Sequence, residues 1–342
     1  MEFLIISLIK VVAVMAVVLL VVMNLVYVER RTSAFIQNRI GPNRVGPLGL
    51  FQSPADVLKL FIKEDIVPTN ATRFIHTLAP ILSIAVAMVT IAVVPFGNTI
   101  ELFGREIKLM IADVNIGVLY VLALTSLGVY GVTLSGWSSN NKYSLLGSLR
   151  STAQLISYEL SMGLSIIGVI MVTGSLELDR IVEVQAHGHW FAFLTPIGFI
   201  TFVVASFAET NRLPFDLPEA EPELVGGYHT EYSGMKFGAF FLAEYSNMIT
   251  SSALIVTLFL GGWQLPGVYS WGLSPVVVSL LQVLTFMVKV GAMLFFYIWI
   301  RWTIPRFRYD QLMNLGWKVM LPLALVNLLV TGVMHFIFPT VW

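Results

Sequence analysis

At 342 residues, 57 % of them hydrophobic and 12 % charged, the chain is too apolar for a soluble domain, where about a quarter of residues carry charge. Its 20 basic and 20 acidic residues cancel, which excludes a basic nucleic-acid surface and makes their placement the informative quantity. With no cysteine there is no disulfide, thiolate-held zinc or iron–sulfur site, so any electron carrier belongs to another subunit.

About 20 apolar residues cross a bilayer as a helix. On that measure eight spans are predicted, over residues 4–28, 78–96, 116–134, 155–173, 190–207, 237–263, 275–302 and 319–338. The predicted fold class is all-α, a polytopic protein forming a single integral membrane domain over residues 1–342. The first span lacks both a preceding basic stretch and a following small-residue cleavage site, so it reads as a span rather than a removed signal. Lys and Arg of short loops stay on the cytoplasmic side. Fifteen lie on one face of the predicted arrangement, three (Arg105, Lys108 and Arg180) on the other, and Lys10 and Lys289 within spans. Both termini are therefore expected outside.

The first cytoplasmic loop, residues 29–77, contains Ser53-Pro54-Ala55-Asp56, a capping residue and first-turn proline ahead of Val57-Leu58-Lys59-Leu60-Phe61-Ile62-Lys63-Glu64. The eleven residues from Pro54 to Glu64 are too short to span and are amphipathic. An interfacial helix fits them, and docking on a partner protein would use the same pattern. Upstream, Gly41-Pro42-Asn43-Arg44-Val45-Gly46-Pro47 reads as a rigid turn.

The fourth span opens with Ser157-Tyr158-Glu159-Leu160-Ser161, and the sixth carries Glu244 one to two turns in. An ionisable group in a span costs about 2.5 to 3.5 kcal/mol even on the low scales, which makes it a functional-site hypothesis. Snorkelling to the nearby boundary is the competing explanation, though carboxylates are short for it. Lys289 lies deeper and needs a partner acid or a water cavity. Between the fifth and sixth spans, residues 208–236 form an acidic cytoplasmic loop with Glu209, Asp216, Glu219, Glu221, Glu223 and Glu231 against Arg212. Carboxylates massed at a membrane boundary suit proton handling, and a merely hydrated loop needs far fewer. Pro222 argues against a regular helix through the cluster. Apart from the outer-loop pair His187-Gly188-His189, which reads as a surface pair with no acid or thiolate to complete a site, the five histidines form no ligand-like cluster, so no metal site is predicted, and no catalytic constellation is found.

Three ordered stretches identify a family. Glu209-Thr210-Asn211-Arg212-Leu213-Pro214-Phe215-Asp216-Leu217-Pro218-Glu219-Ala220-Glu221 leads on to Gly227-Tyr228-His229-Thr230-Glu231-Tyr232-Ser233-Gly234. The second runs from Glu29-Arg30-Arg31 through Gln37-Asn38-Arg39-Ile40-Gly41-Pro42 to Pro47, and the third is Arg306-Phe307-Arg308-Tyr309-Asp310-Gln311-Leu312. From Glu29 to Lys318 the chain resembles the membrane subunit that forms the quinone chamber of respiratory complex I, the proton-pumping NADH:quinone oxidoreductase.

That resemblance implies that Arg30, Gln37, Arg39, Arg212 and Arg301 surround the quinone chamber or its mouth. It implies that Glu29, Glu159, Glu209, Asp216, Glu219, Glu223, Glu231 and Glu244 form the acidic chain coupling quinone reduction to proton translocation. Quinone is then the substrate, no cofactor is bound by this chain, and FMN and iron–sulfur clusters belong to partner subunits. The implied partners are the peripheral-arm quinone-reducing subunit, the terminal iron–sulfur subunit, other membrane-arm subunits and the bilayer, most simply a bacterial inner membrane. Two other readings share these features: the equivalent subunit of an energy-converting hydrogenase, and a stand-alone secondary transporter.

Overall fold

The computed structural model describes residues 2–102, 105–216, 224–267 and 273–338. Its helices run in chain order as α1 (Glu2–Ile36), α2 (Gln52–Ile62), α3 (Arg73–Thr90), α4 (Gly117–Ser138), α5 (Lys142–Thr173), α6 (Leu178–His187), α7 (Phe191–Leu194), α8 (Pro196–Glu209), α9 (Gly234–Phe259), α10 (Pro275–Thr303) and α11 (Tyr309–Ile337). Seven of them, α1, α3, α4, α5, α9, α10 and α11, are long and apolar enough to cross a membrane. The chain is an all-α polytopic membrane protein. The remaining predicted span, 190–207, is built from two pieces, because the backbone breaks at Thr195 and Pro196 opens a new helix of 14 residues.

Several helices outrun their predicted spans. At 1.5 Å per residue the 35 residues of α1 extend about 52 Å, well beyond a 30 Å hydrocarbon core, so Glu29, Arg30 and Arg31 lie on the helix itself. The fourth span was expected to open near residue 155, but α5 begins at Lys142, which puts Glu159 in mid-helix rather than at a boundary. The side chain of Asn141 caps α5 by accepting from the Tyr143 N–H at 3.0 Å. The short helix of the first loop forms as expected, with a different cap: α2 starts at Gln52 after Phe51, and Ser53 is buried within its first turn without a hydrogen bond to the helix end. An antiparallel hairpin, β1 (Thr99–Leu102) with β2 (Arg105–Lys108), was not anticipated. It rests on α10 through Ser279 Oγ donating to the Thr99 carbonyl at 2.7 Å.

The core lies where α3, α4, α5, α8 and α9 pack together, with α11 against α5 and α8. Helices in lipid gain no hydrophobic drive from meeting each other, so close approach of small residues holds them. A Cβ at Gly136 of α4 would collide with the Ser148 side chain of α5, and one at Gly131 would collide with the Ser83 side chain of α3. Large rings fill the remainder, with Tyr158, Phe202, Phe259 and Tyr297 fully buried. Among the described residues α1 leaves Leu8, Ile9, Val12 and Leu20 exposed to lipid or to a neighbour.

Candidate functional site

Four charged side chains from four elements meet at the end of the bundle where α1, α8 and α10 finish and α9 begins. Glu29 of α1 is 6 % exposed, and Arg212, just beyond α8, is 3 % exposed. Arg212 Nη1 donates to both Glu29 carboxylate oxygens at 3.2 Å, while its Nε lies 2.6 Å from Glu244 Oε1 of α9. Arg301 from the last turn of α10 also donates to Glu29, and the Tyr245 hydroxyl donates to Glu29 Oε2 at 2.8 Å. The Arg212 guanidinium stacks over the Tyr245 ring at 4.2 Å. Two carboxylates and two guanidinium groups balance, which is what permits their burial. Burial alone would lower the Arg212 pKa, but Glu244 and Glu29 outweigh it and raise the value, so the guanidinium stays charged.

A cavity with a water-accessible volume of about 60 Å³ adjoins this cluster. One water needs about 10–15 Å³, so the space accommodates a short file of waters. Three carboxylates line it, Glu159 of α5, Glu209 at the end of α8, and Glu244. Ser126 of α4 donates to Glu159. The backbone beside the cavity is pinned by Gln154 of α5, whose Nε2 donates to the Ala208 and Phe215 carbonyls, both at 2.8 Å. Gln154 thereby holds the turn that carries Arg212.

The remaining expected site residues fall outside this centre. Asp216 is buried and pairs with Arg306 at 3.0 Å, tying the acidic loop to the segment between α10 and α11. Glu231 accepts from Asn141 Nδ2 at 2.5 Å, so one asparagine caps α5 and holds that acid. Arg30 pairs with Asp56 of α2 at 2.5 Å on an exposed face, and Gln37 and Arg39 bond to each other at 2.7 Å just past α1. Of the five residues expected around a chamber, Arg212 and Arg301 reach the buried cluster, whereas Arg30, Gln37 and Arg39 are exposed outside it. Glu219 and Glu223 lie outside the described residues.

Several groups that matter here escaped the sequence reading. Tyr245, Ser126 and Gln154 are uncharged, and only their place inside apolar segments distinguished them. Lys289 has a different solution from the acid or water cavity expected of it: its ammonium donates to the carbonyls of Leu260 at 2.8 Å, Gly262 at 3.0 Å and Gln264 at 3.1 Å, and lies 4.7 Å from the Trp190 ring centre. All three ammonium donors are used on the backbone that ends α9. His229 is buried among rings, with Tyr228 at 3.8 Å and Phe240 at 5.2 Å, and burial pushes its imidazole down to about 3.

The chain matches the sequence profile described as NADH dehydrogenase over residues 9–332. It is 49 % identical over 337 residues to a subunit of the NADH-quinone oxidoreductase of Cytophaga hutchinsonii, covering 98 % of each chain. It is 55 % identical over 315 residues to NADH-quinone oxidoreductase subunit 8 of Rhodothermus marinus, covering 89 % of this chain and 90 % of that one. With the corresponding NADH-quinone oxidoreductase subunit of Geobacter metallireducens the identity is 54 % over 327 residues, covering 96 % and 95 %. The chain therefore belongs to the NADH dehydrogenase family.

Proposed function

We propose that the chain is the membrane subunit of a proton-translocating NADH:quinone oxidoreductase, closing the quinone chamber against the peripheral arm and coupling quinone reduction to proton movement. The observation that carries this reading is the buried Glu29–Arg212–Glu244–Arg301 cluster, which shares Glu244 with a cavity lined by Glu159 and Glu209. Quinone reduction changes charge and takes up protons. A change of charge beside the cluster alters the balance that holds Arg212 between two carboxylates, and a carboxylate released from Arg212 becomes a proton acceptor. Glu244 faces both the cluster and the cavity, so it is the residue through which the two communicate. By the family resemblance, Glu29, Asp216, Glu219, Glu223 and Glu231 belong to the same acidic set.

Arg30, Gln37 and Arg39, with α2, frame the mouth of the chamber, and Arg212 and Arg301 hold its charged inner wall. The chain supplies no redox group. FMN and iron–sulfur clusters reside in partners, of which the quinone-reducing and terminal iron–sulfur subunits of the peripheral arm meet the cytoplasmic loops. The membrane is a bacterial inner membrane, with both chain termini outside.

Two measurements test this reading. The native chain purified in mild detergent should co-migrate with iron–sulfur and flavin-bearing subunits, and isolation as a lone protein would contradict the reading. In the assembled complex, a photoreactive quinone should label peptides of residues 29–62 in competition with natural quinone. Labelling confined to the outer loops would remove the chamber from this chain.

A further inference from the structure

A second cavity lies against the first, with a water-accessible volume of about 20 Å³, room for one water. Thr125, Glu209 and Asn247 line both. The five helices around them agree on the direction of the step. The lining passes from Ser83 to Thr90 on α3, from Gly128 to Val121 on α4 and from Glu159 to Ile166 on α5. It passes from Glu209 to Phe202 on α8 and from Glu244 to Ser251 on α9. Each pair is seven residues apart, two helical turns or about 10 Å, and the alternating chain directions all point away from the Arg212 cluster into the bundle. Polar side chains continue there: Thr90, Thr250 and Ser251 are buried and line the second cavity. Ile166, Phe202 and Leu254 also line it.

We propose that Asn247, with Thr125, is a positioning residue at the junction of the two cavities, orienting water so that the proton path extends two turns beyond the carboxylates to Thr250 and Ser251. This rests on the proton-coupling reading above. Asn247 lies three residues after Glu244 on the same face of α9, so its amide reaches the junction from the side that also carries the acid. An amide serves here because it donates and accepts hydrogen bonds without titrating, fixing a water while leaving proton transfer to Glu209. A proton on the Glu209 carboxyl is passed to that water, which releases one of its own to the next oxygen, so the number of protons in the file is conserved.

The test uses the assembled complex in sealed vesicles, comparing Asn247→Leu, Thr125→Val and Asn247→Ser with the parent. Leucine at 247 and valine at 125 remove the polar junction at nearly constant volume. Each should lower quinone-coupled proton pumping about tenfold, below the roughly hundredfold or more for loss of a proton-transferring group itself. Each should also enlarge the solvent deuterium isotope effect on quinone reduction, which a packing defect would leave unchanged, and serine at 247 should restore both. NADH oxidation by an artificial acceptor should be unaffected. Glu159→Gln, run alongside, separates the two levels of the argument. If it abolishes pumping while the Leu and Val variants pump at the parental rate with the parental isotope effect, the junction is wrong and the acids stand. If all three variants pump normally, the acid reading fails too. Thr125→Val decides the question should Asn247→Leu not be incorporated into the complex.

Discussion

Arg212 and Lys289 are both cations held inside an apolar protein, and they are stabilised in opposite ways. Arg212 is balanced by the carboxylates of Glu29 and Glu244, groups that titrate, beside a cavity that admits water. Lys289 is balanced by three backbone carbonyls and an indole face, none of which can take up a proton at accessible pH. Along α10 it lies 12 residues, about 18 Å, from Arg301 of the acid cluster. The first arrangement can be switched by protonating a partner, and the second has no partner that can be protonated. Burial of charge alone therefore does not identify a functional site in this fold, and the chemistry of the partner does.

Substitutions at the two sites should separate switching from holding. Arg212→Leu leaves Glu29 and Glu244 buried with less compensation, and removing one partner of a buried pair costs about 3–5 kcal/mol. The expected outcome is failure of the complex to assemble, read from its yield on native gels. Lys289→Met leaves three carbonyls at the end of α9 without their donor, at about 1–3 kcal/mol for each group left unsatisfied. A lower melting temperature of the purified complex should result, with proton pumping per quinone reduced unchanged. A change in that ratio would mean that Lys289 belongs to the coupling machinery.

Smaller changes sharpen the same contrast. Tyr245→Phe keeps the ring beneath Arg212 and removes one hydrogen bond to Glu29, worth about 1.5–3 kcal/mol for a charged acceptor. It should displace the pH profile of quinone reduction while leaving assembly intact, as followed by turnover at stepped pH. His229 acts only in acid. Its imidazole is depressed in the folded chain to about 3, against 6.5 unfolded, so it favours the folded state fully above pH 6.5 and progressively less as pH falls toward 3. His229→Gln should flatten that part of the acid-unfolding curve, measured as melting temperature between pH 7 and pH 4.

The membrane architecture was legible because apolar length is a local property: seven of the eight predicted segments form helices long enough to span, and the eighth, 190–207, forms two shorter pieces. Their ends were harder to read. Lys142 and Arg150 lower the hydropathy of the first turns of α5, so a helix that starts at Lys142 looked like a span starting at 155. The break at Thr195 was signalled by Pro196, whose place in a new first turn depends on tertiary context. The acids were legible as costly charges, but their pairing was not. Glu29 and Arg212 are 183 residues apart, and nothing in either segment specifies the other. The Lys289 partners are backbone carbonyls, which every residue possesses, so a sequence cannot single them out. For Glu244, near a span boundary, snorkelling was the competing explanation to function. Its contact with Arg212 and its place on the cavity wall distinguish the two.

Glu244→Gln is the most direct test of the central claim, because among the described residues Glu244 joins the Arg212 cluster to the acid-lined cavity. Glutamine keeps the volume and much of the hydrogen bonding and removes the titration. In sealed membrane vesicles containing the assembled complex, the variant should oxidise NADH with an artificial acceptor at the parental rate while quinone-linked proton pumping collapses. Glu106→Gln, on the exposed hairpin, should leave both intact. Parental pumping by an assembled Glu244→Gln complex would contradict the account and reduce the cluster to a structural ion pair.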